Sequence, residues 1–372
     1  MNKEETTNQN SLPGAAVAAA AGPSPVRRIG AVNWDCSVPS TTFFGQATTN
    51  TLGPAKWRDR TPYYADVLGE NRIEHHYRSL EEYETEMQYA IDAGIDYFAY
   101  CWYDLTPPPG DKTACAGKLQ EITRARRLHV QSQLRDRLSL CAILVTIHPY
   151  SDDCLRLLAE EMKNPWYEKV GGRPLIYMFE STYAVALRLR DICREAGVAD
   201  PYVVAMITSP PEKGEKRSAN ADALSAYACT EDGPLAEDHV NKAIGQNALR
   251  ATAGLPVIPH FSTGWDPTPR IERPTPWTKN GYPVRPYAPK LSRADWLDEA
   301  AKLRRWIEQH PAECPTGHVM AFAWNEFEEG GWICPNIGVD GRPDTTRVAS
   351  FRAVAEALKK AGGEKGKEIH GQ

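Results

Sequence analysis

Residues 79–103 read SLEEYETEMQYAIDAGIDYFAYCWY, and this stretch decides the fold. Its first part is a helix with clear ends. Ser79 and Glu82 form a capping box, in which each side chain accepts from the other's backbone N–H. Tyr83, Met87 and Ala90 mark one apolar face, and Gly94 suits the C-terminal stop. The second part, IDYFAYCWY (95–103), is apolar without alternation. Such a strand belongs in a parallel sheet covered on both faces.

The same unit recurs on either side. Strand-like segments are IGAVNW (29–34), LSLCAILVTI (138–147), RPLIYMFE (173–180), PYVVAMIT (201–208), DALSAYA (222–228), LPVIPHFSTGWD (255–266) and GHVMAFAW (317–324). Helical patterns fall near 115–135, 151–167, 182–197, 236–253, 292–310 and 345–360. After residue 34 runs a long polar loop containing Pro and Gly. Eight strands alternating with helices predict an α/β protein, a (β/α)8 barrel with long loops at its C-terminal face. A doubly wound sheet is the alternative, but NWDCSVP after the first strand lacks the Gly-rich phosphate turn of that fold. No G-x-x-x-x-G-K, H-E-x-x-H, G-x-S-x-G or EF-hand loop is present.

The chain has 372 residues, 42% of them hydrophobic, which is ample for one large core. The organisation read from it is a leader at 1–27, one barrel domain at 28–360 and a flexible tail at 361–372. The net charge of −5 is mild, and no basic stripe points to nucleic acid. The nine cysteines include no C-x-x-C pair. Cys101, Cys141 and Cys229 sit in apolar runs and read as buried free thiols. SLPGAAVAAAAGPSP (11–25) has the apolar core of an export signal, without the usual positive charge before it. It predicts export from a bacterial cell, and a disordered Ala-rich leader on a cytoplasmic protein is the other reading. No segment approaches the ~20 apolar residues of a membrane span. Oligomeric state is not legible.

In a barrel the C-terminal strand ends converge on one mouth. The residues expected there are Trp34, Asp35, Trp102, Tyr103, His148, Glu180, Trp265, Asp266, Trp324, Asn325 and Glu326. Acids, aromatics and a histidine around one pocket form a sugar-site composition. Each has a plainer reading: Trp102 and Trp324 as rim packing, His148 as a backbone partner, Glu180 as a helix-start acid, Asp266 as a turn residue before Pro267. The adjacent His75 and His76 diverge in regular structure and are read as non-metal. No metal or organic cofactor is expected.

AWNEFEEGG (323–331) stands apart. A strand ends, and Glu326 and Glu329 lie three residues apart on a Gly-closed turn. Glycosidic cleavage needs an acid for the leaving oxygen and a second carboxylate as base or nucleophile. Crowding and burial separate the pKa values of two such acids. The plain alternative is a solvated acidic turn.

At this motif the sequence resembles the glycoside hydrolase family 99-like group, which includes endo-α-mannosidases and WbsX-type proteins. AWNEFEEG is similar to the group's W-N-E-W-x-E-G element. Supporting matches are MQYAIDAGIDYFAYCWY (87–103), NPWYEKVGGRPLIYMF (164–179), DALSAYA and GWDPTPR (264–270), in family order across most of 28–358. The resemblance implies a (β/α)8 barrel and a retaining glycosidase acting on an α-linked glycan. By it, Glu326 deprotonates the substrate's 2-hydroxyl, which attacks C1 to give a 1,2-anhydro sugar. Glu329 protonates the leaving group and then deprotonates water. Glu328 points elsewhere, as a supporting or solvated acid. Departures are Phe327 for the second Trp, Glu328 where the endo-mannosidases have His, and Cys334 where relatives often carry an acid. Three other readings stand beside this one: a WbsX-type glycosyltransferase, a non-catalytic carbohydrate-binding barrel, and catalysis by Glu180 paired with Glu326.

Overall fold

The computed structural model describes residues 26–35, 38–105, 115, 117–145, 149–180, 182, 184–208, 216–230, 233–278 and 281–360. The leader through residue 25, the tail from residue 361, and His148 lie outside them. Eight parallel strands form the core: β1 Arg28–Asn33, β2 Tyr97–Trp102, β3 Ser139–Val145, β4 Arg173–Phe179, β5 Tyr202–Met206, β6 Ala223–Ser225, β7 His260–Ser262 and β8 His318–Phe322. Their order is β7-β8-β1-β2-β3-β4-β5-β6. A parallel bridge between Leu224 of β6 and Val257, just before β7, completes the circle. Ile258 N donates to Leu224 O at 2.9 Å there. The predicted (β/α)8 barrel is therefore the fold.

The outer helices are α1 Leu80–Asp92, α2 Arg124–Gln131, α3 Asp152–Met162, α4 Val185–Glu195, α5 Ala236–Ala251, α6 Arg293–Gln309 and α7 Thr346–Lys359. The capping box of α1 forms as read, with Ser79 Oγ accepting from Glu82 N at 3.2 Å and Glu82 Oε2 from Ser79 N at 2.7 Å. Tyr83, Met87 and Ala90 are fully buried, and Gly94 stops the helix with φ of 84°. Gly30 in β1 has its own necessity: a Cβ there would lie 2.1 Å from the Tyr97 ring. Tyr97 fills the barrel interior and shares a hydrogen bond with Tyr177 at 2.8 Å.

Three elements differ from expectation. The helix expected at 115–135 divides into a 3-10 turn, Leu119–Thr123, then α2, then a second 3-10 turn, Gln133–Asp136. Ile122 is non-helical, and Ser132, extended, turns its hydroxyl to Leu134 N at 3.0 Å. The strand expected at 255–266 keeps only three ladder residues, because Pro256 and Pro259 have no N–H to donate. The loop after β1 holds a helix, Phe43–Leu52, capped by Thr42. Thr48, Thr49 and Thr51 hide it in the sequence, since these β-branched residues read against a helix. In the fold their hydroxyls bond the carbonyls of Gly45 and Ala47. None of the eight described cysteines is joined in a disulfide. No helix among the described residues is long and apolar enough to cross a membrane.

Candidate active site

The acidic stretch after β8 is a hairpin. Asn325–Glu326 pairs antiparallel with Gly331–Trp332, and a 3-10 turn, Phe327–Glu329, joins them. Gly330 closes the turn with φ of 80°, and a Cβ on it would meet Asp266 N at 2.6 Å. Trp324 is buried in the barrel top, its indole N–H donating to Glu86 Oε1 at 2.9 Å. Asn325 ties the hairpin to the end of β1. Its Oδ1 accepts from Trp34 N at 2.9 Å, and its Nδ2 donates to Trp34 O at 2.8 Å.

The three glutamates are not solvated. Glu326, Glu328 and Glu329 are 3%, 3% and 6% exposed. Buried acids this close need a cation, and Arg270 supplies it. Its Nε and Nη2 donate to Glu328 Oε2 at 3.0 and 2.7 Å. Its Nη1 bonds Glu329 Oε1, and its Nη2 lies 3.6 Å from Glu326 Oε2. Tyr282 also donates to Glu329 Oε1, and Tyr227 donates to Glu326 Oε1 at 2.5 Å. Burial works against the charge on Arg270, but Glu329 and Glu328 outweigh it and hold the guanidinium ionised.

One cation facing three carboxylates leaves an excess of negative charge out of water, so a proton is retained. Burial, then the neighbouring Glu329, push Glu326 up to about 8, against the opposing pull of Arg270 and Tyr227. Burial also raises Glu328, with Arg270 opposing. These shifts favour Glu326 as the carboxyl that keeps a proton.

Glu326 and Glu329 face a cavity of about 740 Å³ at the C-terminal mouth. Trp34, Tyr103, Trp265, Trp277, Tyr282 and Tyr287 contribute aromatic surface. Trp34 donates to Tyr103 Oη at 3.1 Å and meets Trp277 edge-on at 5.5 Å between centroids. A pocket of this size, with aromatic walls and acids on one side, suits a sugar ligand of a few rings.

Of the residues singled out from the sequence, the structure brings Trp34, Tyr103, Trp265, Glu326 and Glu329 together around this cavity. Trp324 and Asn325 support the hairpin from beneath. Asp35, Trp102, Glu180 and Asp266 are employed elsewhere, and His148 lies outside the described residues. Asp35 accepts from Ala125 N at the start of α2, and burial raises its pKa to about 6. Trp102 packs under Arg126, 3.4 Å from its ring centroid, and donates to Cys154 Sγ at 3.3 Å. Glu180 accepts from the Thr208 hydroxyl at 2.9 Å and pairs with Arg217. Asp266 takes its turn role: its backbone N donates to Glu329 O at 2.8 Å, and its carboxylate holds Thr268 N at 3.1 Å and pairs with Arg60.

Arg270, Tyr227, Tyr282 and Trp277 were not singled out from the sequence. Tyr227 lies in DALSAYA and Arg270 in GWDPTPR, but a strand-end rule misses both. Tyr227 falls two residues beyond β6, and Arg270 sits on the short helix Thr268–Glu272. The available signal was charge: three acids in four residues, once buried, require an arginine.

No family model matches the chain. It is 25% identical over 232 residues to the protein WxcX of two strains of Xanthomonas campestris pv. campestris, itself uncharacterized. That match covers 55% of this chain and 31% of the relative, so the chain spans about a third of the length of these curated relatives. Among solved structures, a glycoside hydrolase-like protein superposes with TM-score 0.59 at 14% identity, covering 94% of this chain and 98% of that one. What the two share is the (β/α)8 barrel fold. Two structures of the GH99 endo-α-mannosidase from Bacteroides thetaiotaomicron are also similar. One has TM-score 0.51 at 12% identity over 89% of this chain and 97% of its own. The other has TM-score 0.50 at 13% identity over 75% and 79%.

Proposed function

We propose that the protein is a retaining glycoside hydrolase of an α-linked glycan, acting through neighbouring 2-hydroxyl participation. The observation that carries this is the pair of buried carboxylates, Glu326 and Glu329, on one Gly-closed hairpin facing an aromatic cavity. Glu326 takes the proton of the substrate's 2-hydroxyl. O2 attacks C1, the glycosidic bond breaks, and Glu329 protonates the departing oxygen. Water then opens the 1,2-anhydro sugar, with Glu329 taking its proton and Glu326 returning one to O2. Two inversions at C1 give net retention.

For this sequence to begin, the proton must pass from Glu326 to Glu329, which then holds it for the leaving oxygen. A bound 2-hydroxyl that donates to Glu326 favours its ionised form, as does the donation from Tyr227. The resting arrangement also favours a second assignment, with Glu326 as the acid and Glu329 as the base. Leaving-group dependence separates the two, because loss of the general acid is severe with a poor leaving group and mild with a good one.

The test is a hydrolysis screen of purified protein against α-mannan, α-glucan and complex polysaccharides, without nucleotide sugar, with products followed by proton NMR. New reducing ends from wild type, absent in folded Glu329→Gln and Glu326→Gln, are the expected result. A first-formed anomer of inverted configuration would overturn retention. No product with any glycan, joined to nucleotide-sugar binding in calorimetry, would favour a transferase. Glycan binding without turnover would favour a binding barrel.

A further inference from the structure

The acidic hairpin has two sides. One faces the large cavity. The other borders a second cavity of about 10 Å³, lined by Leu52, Pro62, His75, Asn325, Glu326 and Glu328, among others. Four buried polar atoms of these residues have no hydrogen-bond partner: both ring nitrogens of His75, Oε1 of Glu328 and Oε2 of Glu326. His75 is 5% exposed and the two glutamates 3% each. Buried polar groups left unsatisfied are destabilising, and one water can bond one His75 ring nitrogen and both carboxylate oxygens, so this space calls for an occupant. A single water needs about 10–15 Å³ and two to four polar partners.

We propose that this space is an internal water site, in which one water joins His75 to Glu328 and Glu326 behind the acidic hairpin. Both capacities it needs are present. Burial, then Arg78 and His76, push the His75 pKa down to about 3, so the ring is neutral with one donor and one acceptor nitrogen. Glu328 Oε1 accepts from the water, and Glu326 Oε2 donates to it while protonated and accepts from it once ionised. A metal ion does not suit the space, because no group of three His, Cys, Asp or Glu among the described residues is arranged to hold one.

The consequence for catalysis rests on the glycosidase reading. Glu326 is held on the cavity side by Tyr227 through Oε1, and the water holds Oε2 from behind. His75, which does not line the large cavity, is thereby a positioning residue for Glu326.

The deciding experiment is a high-resolution crystal structure of the full chain. The expected result is one electron-density peak about 2.7–3.2 Å from a His75 ring nitrogen and from a carboxylate oxygen of Glu328 or Glu326. In His75→Phe the peak is expected to vanish and kcat to fall about tenfold at unchanged KM, one hydrogen bond's worth. His75→Gln, which can still donate and accept, is expected to keep the peak and most of kcat. A dry cavity in wild type, or a peak unchanged in His75→Phe, overturns the water site. Wild-type kcat in a dry His75→Phe overturns the positioning role. If wild type hydrolyses no glycan, the density still decides the water, so the two failures are told apart. The wild-type density stands even if His75→Phe fails to fold.

Discussion

Arg270 and Glu328 are joined by two hydrogen bonds onto a single carboxylate oxygen, and neither side chain is more than 5% exposed. This pairing fixes the guanidinium so that its remaining donors reach Glu329 and approach Glu326. Arg270→Met would leave three carboxylates buried without a cation. Breaking a buried pair costs about 3–5 kcal/mol, so urea unfolding should show a loss of that size, with kcat/KM down at least about 100-fold. Arg270→Lys should rescue little, because one ammonium cannot reproduce a planar fork. Near-normal stability of the Met variant would contradict this role.

Tyr227 controls the proton on Glu326. Its hydroxyl donates at 2.5 Å to Oε1, and that donation favours the ionised carboxylate. Tyr227→Phe should therefore raise the Glu326 pKa. With Glu326 as base, the rising limb of the kcat/KM profile moves to higher pH, and activity at neutral pH falls about tenfold. With Glu326 as acid, the falling limb moves up instead. The pH–rate profiles of wild type and variant distinguish the assignments.

Stability should fall as pH rises through the region of Glu326. Burial and Glu329 lift its folded pKa from 4.5 to about 8, so the folded protein binds a proton that the unfolded chain has released. That contribution is complete below pH 4.5 and is lost as pH rises through 8. Asp35, lifted by burial to about 6, acts likewise at lower pH. His75 and His260, held by burial at about 3, and His129 at about 4, act oppositely, from there up to 6.5. Among the described residues the window from 6.5 to 8 belongs to Glu326, with Glu328 and Glu299 shifted in the same direction. Thermal unfolding should show Tm falling across it, with a shallower slope in Glu326→Gln.

Trp265 offers its surface to the large cavity while its ring packs 5.7 Å from Phe322 and 5.8 Å from Tyr282. It makes no hydrogen bond to Glu326 or Glu329. Trp265→Ala should raise KM about three- to tenfold, the worth of an aromatic contact, with a smaller effect on kcat. Steady-state kinetics on the substrate found in the screen would check this, and an equal loss in kcat alone would count against a binding role.

Gly330 is needed twice over. Its φ is 80°, and a Cβ would lie 2.6 Å from Asp266 N, the donor that holds Glu329 O at 2.8 Å. Gly330→Ala should destabilise by about 1–3 kcal/mol and lower kcat by moving Glu329. Gly341→Ala is the control, since Gly341 also has positive φ, 76°, but nothing within 4 Å of its Cβ. Equal losses in the two variants would mean that strain, not the Asp266 contact, is the whole effect.

The barrel was legible because its signals are local. The apolar run of 97–103 and the capping box at Ser79 are read within one turn or strand, and eight such units count out a closed sheet. Where local rules conflicted, the reading strayed: threonines concealed the helix Phe43–Leu52, and two prolines trimmed β7. The placement of Glu326 and Glu329 at the cavity was also legible, since two acids on a Gly-closed turn after a buried strand have few structural uses.

What the sequence determined by itself was the alternation that closes the barrel and the acidic hairpin that ends it. Only the tertiary structure decided which residues share the cavity with that hairpin. Asp35, Trp102 and Glu180 also lie at strand ends, yet each turns to a nearer partner: Ala125, Cys154 and Arg217. Arg270 and Tyr227 come from separate loops 56 and 99 residues before Glu326, and nothing local marks them. The physical reason is that burial creates the demand they meet. A carboxylate in water needs no arginine, and only when the fold withdraws three of them from solvent does the position of one guanidinium decide where the proton rests.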